Sequence, residues 1–317
     1  MLWSAYNPFM LPQSKSLPNG WLAFDLNILS RLNFSSVCLP FTGDPTLGSF
    51  LKTRGVRVLT NDLLRSSWTR SVAVVQNNRE KLSDDTVNAI LEEVYVPHHR
   101  LRNPALTKWF SETDAWWFDN IRSNLDRIES PFQFAIGASL AMAVGDYAMS
   151  FTEETRELRQ PFSNVFRRLW TMLPEPVNNG QNNICHNRPV NDFIAESYVD
   201  LMYLRLPAAG GKKGFADKAV WREEWLRGGD DFWHDIESMR DGRLGMPVHT
   251  KSQYLELLKK TLETASNIEK WAIGHIETGF ISTQEIVETI GRVQRVDTVY
   301  TKDFSELTGA KAIIITA

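Results

Sequence analysis

Cysteine is almost missing from this chain: Cys38 and Cys185 are the only two among 317 residues. Two thiols cannot build a disulfide framework and are typical of a reducing compartment, so a cytoplasmic protein is expected. An excess of positive charge is missing as well, with 35 lysines and arginines against 38 aspartates and glutamates. No global field attracts nucleic acid, and any such contact must come from a local patch. The chain has no uninterrupted membrane-length run. Its most apolar stretch, FQFAIGASLAMAVGDYAMSF at 132–151, is broken by glycines and Asp146 before about 20 apolar residues accumulate. A buried helix is expected there, and no membrane partner. The amino terminus has no basic region followed by an apolar core, so it does not read as a secretory signal. Histidine is sparse, at 6 residues. Cys185 and His186 adjoin without a second pair at ligand spacing, so no metal is expected. His234, His249 and His275 have no nucleophile motif to serve, and a hydrolase triad finds no support. Repeats and low-complexity tracts are absent.

What is present is an ordinary globular composition, 43% hydrophobic and 23% charged. The segment VCLPFTGDPTLGSFLKTRGVRVLTND at 37–62 reads as strand, helix, strand. Asp44 is placed as a helix N-cap, Pro45 as the first helical residue and Gly55 as a left-handed C-cap. Such a unit implies a right-handed parallel crossover with a ligand crevice at the carboxyl ends of the strands. From 63 to 183 the pattern becomes helical, with LSDDTVNAILEEVY, ETDAWWFDNIRSNLDRI and the apolar stretch above. It ends in the turn-rich PEPVNNGQNN. Strand and helix then alternate again through SYVDLMYL, KSQYLELLKKTLETA and WAIGHI. A helix with a Ser282/Glu285 capping box ends at Gly291, and VQRVDTVYT and KAIIITA form a terminal antiparallel hairpin. The domains expected are an α/β unit of 1–62 with 184–317 and a helical insertion of 63–183.

These residues resemble the Dam-like DNA adenine methyltransferases, of the D-P-P-Y class. PFTGDPTLGSFLKTRGVRVLTNDL is similar to that family's E-P-F-x-G-x-G turn, helix and strand ending in N-D. VDLMYLRLPA is similar to its DLVYLDPPY, WAIGHIETGFIS to a later strand and turn, and LPQSKS at 11–16 to its amino-terminal YPGSK. The resemblance covers nearly the whole chain. It implies a Rossmann-like three-layer α/β sheet, mostly parallel with a carboxyl-terminal antiparallel hairpin, and a target-recognition-like role for the insertion. It further implies S-adenosylmethionine as cofactor, with Lys15, Phe41, Gly43 and Asp62 as its binding residues, and DNA as partner.

The departures fall at the ligand edge. The family's D-P-P-Y aligns on Arg205, Leu206, Pro207 and Ala208, so only the second proline survives. In the family, the aspartate accepts from the exocyclic amine of a flipped adenine and the tyrosine stacks on the base. Arginine is donor-only and always charged, so it cannot accept. Ala208 removes a stacking worth roughly 1–3 kcal/mol. Leu39 replaces the acidic residue before P-F, and Pro45 the second glycine, which removes an amide and blocks close backbone approach. Asp200 lies at the wrong end of its strand to substitute for the lost acid. Degeneracy of this kind points to a non-catalytic relative that binds nucleic acid, a protein partner or an adenosyl ligand. The alternatives are an active methyltransferase with altered chemistry and a structural subunit paired with an active one.

Each signal also has a plainer reading. Gly43 and Gly48 serve a tight turn and close helix packing, and Asp62 can cap the turn that follows it. The aromatics Trp109, Phe110, Trp116, Trp117 and Phe118 read as core rather than as a base-stacking surface. GGKKGFADKAVWREEWLRGG at 210–229 reads as a solvated loop rather than a phosphate grip.

Overall fold

β-Branched and aliphatic runs supply the strands of a single sheet, seen in a computed structural model that describes residues 20–93, 100–208, 215, 217–277, 280–305 and 310–317. Its seven strands are β1 (Ser36–Leu39), β2 (Arg57–Asn61), β3 (Ile184–His186), β4 (Leu201–Arg205), β5 (Lys270–Glu277), β6 (Thr298–Asp303) and β7 (Lys311–Thr316). They lie in the order β3-β2-β1-β4-β5-β7-β6. The first five are mutually parallel, while β7 runs antiparallel to both β5 and β6. The expected terminal hairpin therefore exists, and its second strand inserts between β5 and β6.

The helices α1 (Trp21–Leu29), α2 (Thr46–Thr53), α3 (Arg65–Ser71), α4 (Asp84–Ile90), α5 (Glu112–Leu125), α6 (Pro131–Ala148) and α7 (Phe162–Thr171) precede β3. After it come α8 (Val190–Ala195), α9 (Asp217–Arg227), α10 (Trp233–Arg240), α11 (Lys251–Thr264) and α12 (Thr283–Gly291). The pleat sorts the two faces. Leu201 and Tyr203 of β4 join one apolar core with Leu29, Leu51, Ile90, Phe118, Leu140 and Trp225, whereas Met202 and Leu204 join another with Phe193, Leu258 and Ile286. On the first face the core runs without a break from Val37 and Val58 of the sheet into α5, α6 and α7.

Several local expectations are met. Gly55 adopts φ 84 at the end of α2, and Ser282 and Glu285 exchange both capping bonds at α12. Three differ. The helix of the first crossover begins at Thr46, one residue later than Pro45, because Asp44 caps the Thr46 amide. Strand β3 follows the turn-rich stretch and was not anticipated, since three residues carry no readable alternation. Within the glycine-flanked segment expected as a solvated loop, residues 217–227 form α9 instead. Trp221, Trp225 and Leu226, at helical spacing, are fully buried there. Lys212 and Lys213 lie outside the described residues. No helix among the described residues is long and apolar enough to cross a membrane.

Candidate ligand edge of the sheet

A parallel sheet delivers its strand ends to one edge, and here that brings the turn after β1, the end of β2 and the end of β4 together. At the first of these, Thr42 donates its amide to the Asn61 carbonyl at 3.0 Å. Gly43 then turns with φ 53, in the left-handed region that glycine tolerates. The Gly43 amide donates to Asp62 Oδ2 at 2.8 Å, and the Leu64 amide to Asp62 Oδ1 at 2.9 Å. Both carboxylate oxygens thus tie the turn after β1 to the turn after β2. Burial pushes the Asp62 carboxyl up to about 6, against the pull of these two amides.

Asp44 is also committed internally. Its Oδ1 accepts from the Thr46 amide at 3.0 Å and from the Thr46 hydroxyl, while Oδ2 accepts from Arg70 Nη2 at 2.7 Å. Burial works against this carboxylate, yet Arg70 and Thr46 prevail and hold it below the ordinary carboxylate range. Phe41, half-buried at the end of β1, lies where a Cβ on Gly245 would stand 3.3 Å from its ring and 3.9 Å from Pro207. The loop after α10 therefore packs on both strand ends. Lys15 lies outside the described residues.

At the end of β4 the guanidinium of Arg205 turns into the fold. It pairs through Nη2 with Asp25 of α1, whose other oxygen accepts the Tyr203 hydroxyl at 2.6 Å. Asp25 is 0% exposed. The Arg205 guanidinium carbon stands 5.8 Å from the ring centres of both Trp21 and Tyr203, so two aromatic faces flank the cation. Burial lifts the Asp25 carboxyl above its usual range, and Arg205 with the Tyr203 hydroxyl offsets this in part. Gly274, opposite Arg205 on β5, makes room: a Cβ there would stand 2.9 Å from the Tyr203 hydroxyl. Leu206 donates its amide to the Gly274 carbonyl at 2.8 Å, the Pro207 carbonyl accepts from the Tyr254 hydroxyl at 2.9 Å, and Ala208 is exposed.

Chemically, the four residues aligned with D-P-P-Y offer no side-chain acceptor. The carboxylate that Arg205 meets, Asp25, is fully buried with both oxygens engaged. Asp200 sits at the opposite end of β4, where it accepts the Ser35 amide and hydroxyl, each at 2.7 Å, and the Ser36 amide at 3.0 Å. The other signals resolve similarly. Trp117, Phe118 and Phe110 are core, with Phe110 stacked on Phe118 at 4.4 Å. Trp109 donates to the buried Glu224 at 2.7 Å. Cys38 and Cys185 are buried thiols pushed up to about 12 by burial, hence unreactive. No group of three or more potential metal ligands gathers among the described residues.

Asp25 escaped the sequence reading, although a signal existed. In WLAFDLNIL it stands between Trp21, four residues before, and Ile28 and Leu29, three and four after, on the buried stripe of the helix. An acid on an apolar stripe requires a cationic or donor partner, and Arg205 was the unexplained cation.

The strand order and antiparallel β7 are those of the S-adenosylmethionine-dependent methyltransferase fold, and the chain is methyltransferase-like. It is 21% identical over 288 residues to a Haemophilus parahaemolyticus protein described as Type II methyltransferase M2.HphI; the alignment covers 82% of this chain and 81% of that one. No family model matches the chain.

Proposed function

We propose that the chain is a non-catalytic relative of the Dam-like DNA adenine methyltransferases, with a weakened S-adenosylmethionine site and residues 63–183 as a target-recognition-like insertion. One observation carries this reading. The residue aligned with the family's proton-accepting aspartate is Arg205, and its guanidinium is turned inward onto the buried Asp25. A donor-only cation cannot accept from an adenine amino group, and the neighbouring Pro207 carbonyl already accepts from the Tyr254 hydroxyl.

The turn after β1 supports the second half of the proposal. When bound, S-adenosylmethionine supplies an electrophilic methyl group. The groups that would hold it fit it poorly here: the Gly43 amide is spent on Asp62, the Thr46 amide on Asp44, and Pro45 has no amide to give. Asp62 keeps the strand-end position at which nucleotide folds meet ribose hydroxyls, but both oxygens already accept. Likeness to a relative described as a methyltransferase supports the shared scaffold, and the departures from the resembled family's pattern at Leu39, Pro45 and Arg205 to Ala208 support its separation from the chemistry.

The test is a methyl-transfer assay with labelled S-adenosylmethionine and adenine-containing DNA, run beside calorimetric titration with millimolar cofactor. The expected result is no label on DNA and weak binding or none. Label on adenine would overturn the proposal.

A further inference from the structure

Beside the ligand edge, at the junction of α3, α5 and α9, three arginines converge. The buried Glu223 of α9 organises them: its carboxylate accepts the Arg65 and Ser66 amides, each at 2.8 Å, and Arg227 Nε at 2.6 Å. The amides that open α3 are thereby satisfied by protein. Arg122 of α5 reaches the same place, donating Nε to the Leu226 carbonyl at 3.2 Å while its Nη1 pairs with Asp126. Arg102 stands behind, 4.0 Å from Asp126 and 2.6 Å from the Ser123 hydroxyl.

Arg227 thus pairs with the wholly buried Glu223 and Arg122 and Arg102 with Asp126, while Arg65 lies within electrostatic reach of both carboxylates. Arg65 is exposed, and among the described residues its side chain makes no hydrogen bond or ion pair. Partial burial, and then the Arg122 and Arg227 guanidiniums, hold Arg65 below its ordinary value, which Glu223 and Asp126 only partly relieve. Only Leu63 and Leu64 separate Arg65 from Asp62, so this cationic ground borders the candidate crevice directly.

We propose that Arg65, Arg122 and Arg227 form an anion seat that takes a phosphate group at the mouth of the sheet's ligand edge. Planar guanidiniums match phosphate oxygens in pairs, and an anion here relieves a repulsion that the protein leaves standing. The seat is local, as the near-neutral composition requires, and it needs neither cofactor nor catalysis. Its failure would leave the methyltransferase-like reading untouched.

The experiment measures binding of a short fluorescent DNA duplex, without S-adenosylmethionine, over about 50–200 mM salt. Pyrophosphate is titrated in parallel. Arg65→Gln is expected to weaken duplex binding several-fold and to flatten the slope of log K against log salt by about one. Arg65→Lys keeps most of the slope, and Arg292→Gln, just past the end of α12 across the sheet, leaves it unchanged. Arg65-dependent binding of pyrophosphate without duplex binding would uphold the seat and name a small phosphate compound as its source. Binding of both probes that is indifferent to Arg65, or binding of neither, would overturn it.

Discussion

The two ends of the candidate crevice are built in different ways. At the β1–β2 end the backbone keeps the shape of a ligand turn: Gly43 stays left-handed, and Asp62 stays at the strand end and bonds across to it. What changes there is availability, because donors and acceptors are spent on one another. At the β4 end a side chain's charge is committed instead: the Arg205 cation pairs with Asp25 of α1 inside the fold, and in the proposed reading it stands where methyl transfer would need an acceptor. A turn can keep its geometry through backbone bonds alone, whereas the character of a strand end depends on one side chain's polarity, so the proposed reading places the functional difference at the second.

The largest effect separating the two ends is expected from placing an acid at Arg205, as the resembled family has there. Arg205→Asp sets a second carboxylate against the buried Asp25, and should cost at least about 4 kcal/mol in urea unfolding at unchanged slope. It should not restore methyl transfer, since the buried partner also has to change. A loss below about 1 kcal/mol would mean that Arg205 does not depend on Asp25. Next is Gly274→Ala, whose added methyl meets the Tyr203 hydroxyl 2.9 Å away. Displacing a hydroxyl anchored on Asp25 should cost about 1–3 kcal/mol, and thermal unfolding would show it.

At the other end, Asp62→Ala releases the Gly43 and Leu64 amides together, with an expected cost of about 1–2 kcal/mol. Its pH dependence has a definite sign. Because burial raises Asp62 to about 6, its contribution to stability is full below the unfolded carboxylate value and declines as pH rises toward 6. Asp200 behaves oppositely. The Ser35 hydroxyl and amide hold it down at about 2, so its contribution is present above the ordinary carboxylate value and is lost as pH falls through 2. Asp200→Asn should cost only about 1 kcal/mol at neutral pH, allowing for solvent screening, and the difference should vanish in strong acid. Unfolding of both variants from pH 2 to 7 would reveal two profiles of opposite slope.

Much of this comparison was legible in the chain. Gly43, Asp44, Gly55 and Asp62 announced the first crossover because caps and glycine turns are written in adjacent residues. The Ser282/Glu285 box was equally local. What was not legible depends on distance in sequence. Arg205 and Asp25 lie 180 residues apart, and only the pairing of β4 against α1 brings them together. The role of Glu223, which binds the start of α3 from 158 residues away, is hidden for the same reason. Strand β3 is too short for its pattern to be seen, and the Trp221 and Trp225 stripe that buries α9 is interleaved with charged residues and flanked by glycines, which is the composition of a solvated loop.

The account rests on where the Arg205 guanidinium points, and a double-mutant cycle over Asp25→Asn and Arg205→Met reads that most directly. Removing either partner alone should cost about 3–5 kcal/mol, and removing both should cost much less than the sum, with a coupling of at least about 2 kcal/mol. Additive losses of a few tenths of a kcal/mol would place the guanidinium elsewhere, open to the crevice, and would contradict the proposed closure of the β4 end.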